Sequence, residues 1–480
     1  MSKRTVPFDK EIIMIRTAIT KNGKVKGLPA DDPRVTVFRG IPFAAPPVGD
    51  NRWRAPKPCE DWDGVRNCYE FGPVSMQDQP GVGDDIYCRE WHVDPDIPVS
   101  EDCLYLNIWT GEKSTDEKLP VLVWIYGGAF QWGYTAEMEF NGERLARHGV
   151  IVVSIAYRLG VFGFLAHPEL SAGDKDHPTN FGLLDQKAGL EWVYENIAAF
   201  GGDPNNITLA GQSAGGASVT FALANPDAAK MIKKTSVFSG FIRNPFYSDD
   251  IIQPKPLRTA EANGEEFISF IGCNSVDEAR NMDSATVRDA YAEFAKNHPK
   301  FVPCIDGVYV TEDPYRMILE GRTPDLPMLI GYTKDEFIDK LPARADESGV
   351  KIKADIIEKS GIRYFNVVEN SVKEVAYAHM SNNRRSPLYV YRFAPSIPGY
   401  DDPGDFHSCD LWFFFETIQK CWRPYNGRHY ELARRMCDYW SDFIKCGNPN
   451  GTGYDGRELP QWKDCNPDES KYEEMVFIES

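Results

Sequence analysis

The sequence of 480 residues has no excess of basic side chains, because 71 acidic residues against 53 basic ones give a net charge of −18. Nucleic acids and anionic membrane surfaces repel a chain of this charge, so neither is expected as a partner. The chain also lacks any apolar run approaching the roughly 18 residues that a transmembrane helix requires. These absences exclude nucleic-acid binding and membrane insertion from the expected functions.

Paired cysteines are missing as well. Eleven cysteines are scattered singly, without C-x-x-C pairs, which is typical of reduced thiols and not of a disulfide framework. Residues 1–20 contain basic side chains but no apolar stretch or small-residue cleavage site, so they do not indicate a secretory signal peptide. We expect a cytoplasmic protein, although a secreted chain whose leader had been removed would look the same.

Motifs for cofactors are also absent. The sequence contains no phosphate-binding loop and no cluster of metal ligands at motif spacing. We therefore expect neither an organic cofactor nor a metal ion.

What the sequence does contain is an alternation of apolar runs and helical patterns. Six runs rich in β-branched residues lie at 120–128, 150–158, 206–213, 233–240, 326–332 and 387–395. Such runs suit strands that are buried on both faces, as in a parallel sheet. Residues 181–202 have the spacing of an amphipathic helix that ends at Gly-Gly. The pattern predicts one α/β domain over 1–480, with a large, mostly parallel sheet flanked by helices and an irregular β-rich cap from the first hundred residues.

The stretch LAGQSAGGAS at 209–218 places one serine among glycines where a predicted strand gives way to a helix. It matches G-x-S-x-G, the pattern of a nucleophile elbow that exposes a serine hydroxyl on a strained turn. A plain strand-to-helix turn, whose glycines only relieve crowding, is the alternative. A nucleophilic serine needs a base to take its proton and a third group to orient that base. Ser213 is therefore a candidate nucleophile if those partners are present.

Candidates for the base and the acid follow Ser213 in the chain. Three histidines lie at a suitable distance: His379, His407 and His429. The first lies in a helical pattern and the third begins one, whereas His407 lies in a polar loop after the last predicted strand, where the base is expected. The acid is expected after the preceding strand, where Asp335 and Glu336 are adjacent, and position alone does not choose between them.

Backbone donors for a developing oxyanion are also predicted. Attack on an ester puts negative charge on the carbonyl oxygen, which preorganised N–H groups stabilise. The stretch WIYGGAF at 124–130 provides a turn after a strand, in which Gly127 and Gly128 allow close approach to a substrate. The N–H of Ala214, directly after the serine, would join them.

Taken together, these segments resemble the type-B carboxylesterase and cholinesterase family of α/β-hydrolases. The resemblance runs from about residue 20 to 465 through FRGIPFAAPPVG, SEDCLYLNIW, VWIYGGAF, YRLGVFGFL, NFGLLDQKAGLEWV, FGGDPNNITLAGQSAGG and KCGNPN. It implies the α/β-hydrolase fold and a serine ester hydrolase that acts through an acyl-enzyme without a cofactor. The expected partner is a small-molecule ester, and we expect a monomer or a weak homodimer.

The resemblance also implies roles for single residues. The nucleophile, the acid and the base of the family match Ser213, Glu336 and His407. This match selects Glu336 over its neighbour. The three oxyanion donors match the backbone amides of Gly128, Ala129 and Ala214. Ser239 matches a serine near the acid, and Arg52 and Glu101 match a structural ion pair.

Three positions depart from the family pattern. Phe337 stands where the family often has glycine after the acid, and Ser408 replaces the glycine after the base. Ser75 stands where many members have the cysteine that bridges the position of Cys103. We therefore expect Cys103 to be a free, buried thiol.

Four aromatic residues lie beside the predicted catalytic loops: Phe130, Trp132, Phe241 and Trp412. Each could equally belong to the core, but together they favour an apolar pocket for small acyl or aryl groups. No long amphipathic helix indicates a lid for lipid surfaces, so we expect short-chain or aromatic soluble esters as substrates. Two alternatives stay open. One is an esterase that removes feruloyl or acetyl groups from plant polysaccharides, and the other is a non-catalytic, neuroligin-like binding protein.

Overall fold

The described part of the chain is built around a large sheet. A computed structural model describes residues 14–78, 86–90, 97–241, 254–337 and 366–479, so the first thirteen residues of the N-terminal segment considered above lie outside it. The described residues form seventeen β-strands, numbered in chain order: β1 (Thr17–Thr20), β2 (Gly23–Lys26), β3 (Leu28–Pro29), β4 (Thr36–Pro42), β5 (Val65–Asn67), β6 (Val74–Ser75), β7 (Val99–Ser100), β8 (Tyr105–Thr110), β9 (Leu119–Ile125), β10 (Ile151–Ile155), β11 (Gly202–Gln212), β12 (Lys234–Phe238), β13 (Lys255–Pro256), β14 (Cys304–Ile305), β15 (Met328–Thr333), β16 (Leu388–Phe393) and β17 (Met475–Phe477).

Helices connect and cover these strands. The described residues form fourteen α-helices: α1 (Ile86–Glu90), α2 (Glu143–Arg147), α3 (Gly160–Phe164), α4 (Pro168–Gly173), α5 (Phe181–Asn196), α6 (Ala214–Ala224), α7 (Pro226–Ala229), α8 (Leu257–Phe270), α9 (Val276–Arg280), α10 (Ser284–Phe294), α11 (Pro314–Leu319), α12 (Val367–Ser381), α13 (Leu411–Phe414) and α14 (Gly427–Cys446). None of the helices in this part of the chain is long and apolar enough to cross a membrane.

The main sheet has ten strands in the order β17-β16-β15-β12-β11-β9-β10-β8-β4-β3. Every neighbouring pair from β17 to β10 is parallel, and the pairs β10/β8, β8/β4 and β4/β3 are antiparallel. The mostly parallel sheet predicted from the sequence is therefore confirmed. All six apolar runs form strands of this sheet, and β10 and β12 are buried along their whole length.

The N-terminal hundred residues contribute the two outer strands of the antiparallel edge and two smaller sheets. Strands β1, β2 and β5 form a three-stranded sheet, and β6 pairs with β7. Strands β3 and β4 join the edge of the main sheet. The β-rich cap predicted for this region is thus present.

The predicted helix at 181–202 is shorter and more buried than its pattern indicates. Its α-helical part, α5, ends at Asn196 and continues as a 3₁₀ turn to Gly201, whose φ of +88° ends the helix. The helix buries polar as well as apolar side chains. Asp185 is fully buried and accepts two hydrogen bonds of 2.7 Å from the guanidinium of Arg158. A partner that satisfies a buried carboxylate allows this departure from a simple amphipathic pattern.

Aromatic side chains fill the space between the sheet and α14. Trp440 of α14 packs against Trp124 of β9 and Phe238 of β12, with ring centroids 6.2 Å and 5.0 Å apart. Its indole N–H donates a hydrogen bond of 3.0 Å to the hydroxyl of Ser236. This packing holds the helix against the strands whose carboxyl ends carry the candidate site.

Candidate active site

Ser213 occupies a strained turn between β11 and α6. Its backbone has φ 54° and ψ −124°, outside the regions that a residue with a side chain ordinarily adopts. The turn is also crowded, because a Cβ on Gly211 would lie 2.3 Å from the Gly215 carbonyl oxygen, and one on Gly215 would lie 2.0 Å from that of Ile125. The glycines therefore permit the close approach, and the serine has the backbone conformation expected of a nucleophile elbow.

Glu336 lies beside the His407 imidazole, at the carboxyl end of β15. Its Oε2 is 2.5 Å from Nδ1 of His407. Its Oε1 accepts hydrogen bonds from the Ser239 hydroxyl at 2.5 Å and from the Thr333 N–H at 2.9 Å. Both Glu336 and His407 are buried. The structure thus brings together the predicted acid, the predicted base and the predicted supporting serine.

The neighbouring carboxylate, Asp335, bonds to Asp405 and not to His407. Its carboxylate accepts a hydrogen bond of 2.9 Å from the backbone N–H of Asp405, and its own N–H donates to the carbonyl of the same residue. The two other candidate histidines also have different surroundings. His379 is buried in α12, where burial lowers its pKa to about 4. His429 accepts a hydrogen bond from the Asn426 N–H in the capping box that begins α14.

The second ring nitrogen of His407 contacts a residue that sequence reasoning missed. The side-chain amide nitrogen of Gln212 lies 3.0 Å from Nε2 of His407. A proton on Nδ1, shared with Glu336, would leave the lone pair on Nε2 to accept from this amide. Among the hydrogen bonds of the described residues, none involves the Ser213 hydroxyl. The only signal in the sequence was that Gln212 immediately precedes the serine.

The two substitutions at family glycine positions keep glycine-like backbones. Phe337 has φ +53° and Ser408 has φ +80°. The Phe337 ring also lies against the His407 imidazole, with centroids 4.1 Å apart and planes inclined by 32°. The departure at Phe337 therefore places an aromatic ring against the predicted base, on a backbone with positive φ.

The glycine turn after β9 lies next to Ser213. A Cβ on Gly127 would be 3.1 Å from the Cβ of Ser213. Gly128 has φ +103° and Ala129 has φ +54°. Within the described residues, the amides of Gly128 and Ala129 donate to no acceptor, and the amide of Ala214 begins α6, where no intrahelical acceptor exists. Two backbone donors on the turn after β9 and one at the start of α6 therefore lie near the serine without an acceptor among the described residues.

A second buried carboxyl group lies close to the predicted acid. Asp410 accepts a hydrogen bond of 2.6 Å from the Tyr391 hydroxyl. Burial, reinforced by the negative charge of Glu336, raises the pKa of Asp410 to about 7. The sequence gave no signal for this pair, because Tyr391 lies on β16 and Asp410 lies just before α13.

Three of the four aromatic residues predicted to line a pocket are completely buried. Phe130, Phe241 and Trp412 have at most 1% of their surface exposed. Phe130 packs against Phe164 with centroids 5.3 Å apart. Trp132 differs, because it is 42% exposed and the Lys300 ammonium lies 4.4 Å from its ring. Their role in binding substrate stays a prediction.

The ion pair predicted between Arg52 and Glu101 is confirmed. The guanidinium donates to both carboxylate oxygens, at 2.7 Å and 2.6 Å, and also to the carbonyls of Ala279 and Met282. Cys103 is a free, fully buried thiol, as expected, and its burial raises its pKa to about 12. The loop is therefore held without a disulfide at this position.

Comparison with known proteins agrees with this geometry. The model of the carboxylesterase family matches residues 14–364 and 361–477. The chain is 32% identical to the para-nitrobenzyl esterase of Bacillus subtilis (strain 168) over 466 residues, which cover 90% of both chains. It is 29% identical to the cholinesterase of Mus musculus over 495 residues, covering 90% of this chain and 79% of that protein.

Comparison with solved structures also shows similarity to carboxylesterases. The Geobacillus stearothermophilus carboxylesterase EST55 superposes with a TM-score of 0.77 at 29% identity, covering 96% of each chain. Its similarity extends over the whole α/β-hydrolase fold, including the large mixed sheet and its flanking helices. These relationships support ester hydrolysis. The chain therefore belongs to the carboxylesterase family of α/β-hydrolases.

Proposed function

We propose that the protein is a carboxylic-ester hydrolase in which Ser213 is the nucleophile, His407 the general base and Glu336 the acid that orients it. The observation that carries this proposal is the contact of 2.5 Å between Glu336 and Nδ1 of His407. Glu336 follows β15 and His407 lies after β16, and both strands belong to the same parallel part of the sheet as β11, which leads into Ser213. A carboxylate on Nδ1 fixes the tautomer in which Nε2 can accept a proton, and it stabilises the imidazolium that forms.

The first half of the reaction acylates the serine. The Oγ of Ser213 attacks the ester carbonyl carbon while its proton passes to Nε2 of His407, giving a tetrahedral intermediate. His407 then returns this proton to the leaving alcohol as the C–O bond breaks. The second half repeats these steps with water as the nucleophile, which releases the carboxylic acid and restores Ser213.

The oxyanion of each tetrahedral intermediate would be bound by the amides of Gly128, Ala129 and Ala214. Support comes from their position beside Ser213 and from the lack of other acceptors for them among the described residues. Preorganised donors of this kind typically contribute about 3–4 kcal/mol each to transition-state stabilisation. The Gln212 amide has a different effect, because Ser213 must replace it at Nε2 before the proton can move.

The proposed substrates are short-chain or aromatic esters in solution. Trp132 supports this choice, because it is an exposed aromatic side chain four residues after Gly128 and just beyond the oxyanion turn. The presence of Ser213, Glu336 and His407 together argues against a non-catalytic binding protein. We further propose a reducing, cytoplasmic environment, supported by the free buried thiols of Cys68, Cys103, Cys304, Cys409, Cys437 and Cys465.

A fluorophosphonate probe tests the nucleophile. Wild-type protein should be labelled stoichiometrically, Ser213→Ala should not be labelled, and the control Ser218→Ala in α6 should be labelled like the wild type. Stoichiometric labelling of Ser213→Ala would show that another residue is the nucleophile.

A matched pair of neighbouring carboxylates tests the acid. Glu336→Gln should lower kcat on p-nitrophenyl acetate by roughly 1,000-fold or more, because triad members act as a unit. Asp335→Asn should retain most of the activity, since that side chain can still accept from the Asp405 N–H. Equal losses in the two variants would contradict the assignment of Glu336.

A series of p-nitrophenyl esters from acetate to palmitate tests the substrate class. We expect kcat/KM to be highest for the short acyl chains. A maximum at palmitate, with a jump in rate when the substrate forms an emulsion, would identify a lipase instead.

A further inference from the structure

A cluster of potential metal ligands lies outside the candidate active site. Among the described residues, His148, Glu416 and Cys437 form the one group whose imidazole nitrogen, carboxylate oxygen and thiol sulfur all lie within 4.8 Å of one another. These residues come from the end of α2, the segment after α13 and the middle of α14. No sequence motif joins them, so the expectation that the chain has no metal site could not take them into account. We refer to these three residues as the His148 cluster.

We propose that the His148 cluster binds a thiophilic divalent transition-metal ion such as Zn²⁺, with His148, Glu416 and Cys437 as its ligands. Imidazole, thiolate and carboxylate are the three side-chain ligands that zinc uses in proteins. The thiolate excludes Mg²⁺ and Ca²⁺, which prefer sets of oxygen ligands. The chemical class of the ligand follows from this donor set.

The spacing within the cluster suits an ion better than a direct hydrogen bond. Nε2 of His148 lies 3.8 Å from Oε2 of Glu416, which is too long for a hydrogen bond. A zinc ion at about 2.0–2.2 Å from each atom would span this gap. The sulfur of Cys437 lies on the inner side, where the residue is completely buried.

The other ring nitrogen of His148 already has an orienting partner. Nδ1 lies 3.4 Å from Oδ1 of Asp438, and Oδ2 of Asp438 accepts a hydrogen bond of 2.9 Å from the Tyr454 N–H. Metal-bound histidines typically donate their second nitrogen to a carboxylate or carbonyl that fixes the ring. Asp438 is therefore assigned as the positioning residue, and it would leave Nε2 free for the ion.

The charge of the surroundings also favours a cation. Two carboxylates, those of Glu416 and Asp438, lie beside the two ring nitrogens of His148. Arg434 lies 3.7 Å from the other oxygen of Glu416, on the exposed side. A divalent ion would compensate the carboxylates and the thiolate together. It can enter from solvent, because the side chains of His148 and Glu416 are 23% and 14% exposed.

Cobalt titration of the full-length protein, kept reduced, tests the site directly. Co²⁺ should bind with one-to-one stoichiometry and give a near-ultraviolet charge-transfer band from thiolate to cobalt, and Zn²⁺ should displace it. Cys437→Ser should lose this band. The matched control Cys446→Ser, at the exposed end of the same helix, should keep it. Asp438→Asn should keep the band but weaken cobalt affinity by about 10- to 100-fold.

His148→Gln provides the decisive second variant if Cys437→Ser does not fold. It retains the thiol, so the band should persist while the cobalt affinity falls at least tenfold. The proposal is overturned if wild-type protein shows no charge-transfer band, if the band survives in Cys437→Ser, or if His148→Gln binds cobalt as tightly as the wild type. Because these readouts are optical, they do not depend on esterase activity.

Discussion

The side-chain amide nitrogen of Gln212 lies 3.0 Å from Nε2 of His407, the atom proposed to accept the proton of Ser213. Glu336 holds the opposite ring nitrogen at 2.5 Å, so the imidazole is fixed at both ends. The residue just before the proposed nucleophile therefore competes with that nucleophile for the same lone pair. Any charge introduced at this position would act directly on the protonation of His407.

Replacing Gln212 with glutamate should move the acid limb of the kcat/KM profile to higher pH. A carboxylate at this distance stabilises the imidazolium form, so the neutral base is lost at a higher pH than in the wild type, by roughly one pH unit or more. Gln212→Leu is the uncharged control: it removes the donor to Nε2 without adding a charge, so it should move the limb by less than Gln212→Glu does. The kcat/KM of p-nitrophenyl acetate, measured across the acid limb, checks both variants. A limb that does not move in Gln212→Glu would mean that the contact is not made in the working enzyme.

Removing the Phe337 ring should lower kcat/KM by up to about tenfold, because its contact with the His407 imidazole is of the kind that contributes about 0.5–1.5 kcal/mol. Phe337→Ala and Phe337→Gly lose the ring equally and should lose activity equally. They should differ in stability. Glycine relieves the positive φ, so Phe337→Gly should unfold with a free energy about 1 kcal/mol higher than Phe337→Ala.

The variant Ser408→Gly distinguishes the effect of losing the Phe337 ring from the effect of a change in backbone conformation beside His407. It also replaces a residue of positive φ beside the base, but it removes no ring. We expect its kcat/KM to stay within about twofold of the wild type and its stability to rise by roughly 1 kcal/mol. If Ser408→Gly loses as much activity as the Phe337 variants, local loop conformation and not the aromatic contact is the cause.

The sequence predicted the parts of the fold and site that depend on local pattern. Parallel strands that are buried on both faces have continuous apolar sequences, and for this reason β9, β10 and β16 could be predicted from the sequence. The order of Ser213, Glu336 and His407 follows from the order of the strands that carry them. The family resemblance was needed to choose Glu336 over Asp335, since both residues follow the same strand.

The remaining features depend on contacts between distant segments. Gln212 is the last residue of β11, and it contacts His407 of the segment after β16 only through the tertiary fold. No local pattern encodes a contact between residues 195 positions apart. Asp185 is buried because Arg158 neutralises it, which a helical periodicity does not reveal. In both cases the position of the side chain depends on a partner from a distant segment, and the polarity of the residue alone does not predict it.

Asp410 should make the stability of the protein depend on pH between about 4 and 7. Its pKa is raised to about 7 in the folded state, against about 3.9 in an unfolded chain. In this window the folded state holds a proton that the unfolded state has lost, so the free energy of unfolding falls as the pH rises. Asp410→Asn can still accept from the Tyr391 hydroxyl and has no proton to lose. Between pH 4 and 7, the free energy of unfolding of Asp410→Asn should therefore fall less than that of the wild type, by a difference of at most about 4 kcal/mol.

Urea unfolding at several pH values measures this difference. The exposed residue Asp402 supplies the control, because Asp402→Asn should leave the pH dependence of the wild type unchanged. Parallel curves for Asp410→Asn and the wild type would mean that Asp410 is already ionised in the folded protein at low pH.

The buried pair of Arg52 and Glu101 should be one of the most sensitive points for stability. Both side chains are less than 10% exposed, and the guanidinium also joins its loop to the carbonyls of Ala279 and Met282. Glu101→Gln leaves the Arg52 charge buried without its partner, so the free energy of unfolding should fall by about 3 kcal/mol or more. Urea unfolding with an unchanged m-value gives this number from the shift of the midpoint.

A double-mutant cycle tests whether the loss comes from the stranded charge. Replacing both residues by apolar ones, as in Arg52→Met with Glu101→Leu, removes both charges and should cost less than the sum of the two single changes. The exposed partner of Asp32 provides a contrast, because Arg34→Gln breaks an ion pair that solvent already screens and should leave the midpoint almost unchanged. Strictly additive losses at Arg52 and Glu101 would show that each residue stabilises the loop separately, through its own packing and hydrogen bonds, and that the ion pair itself contributes nothing.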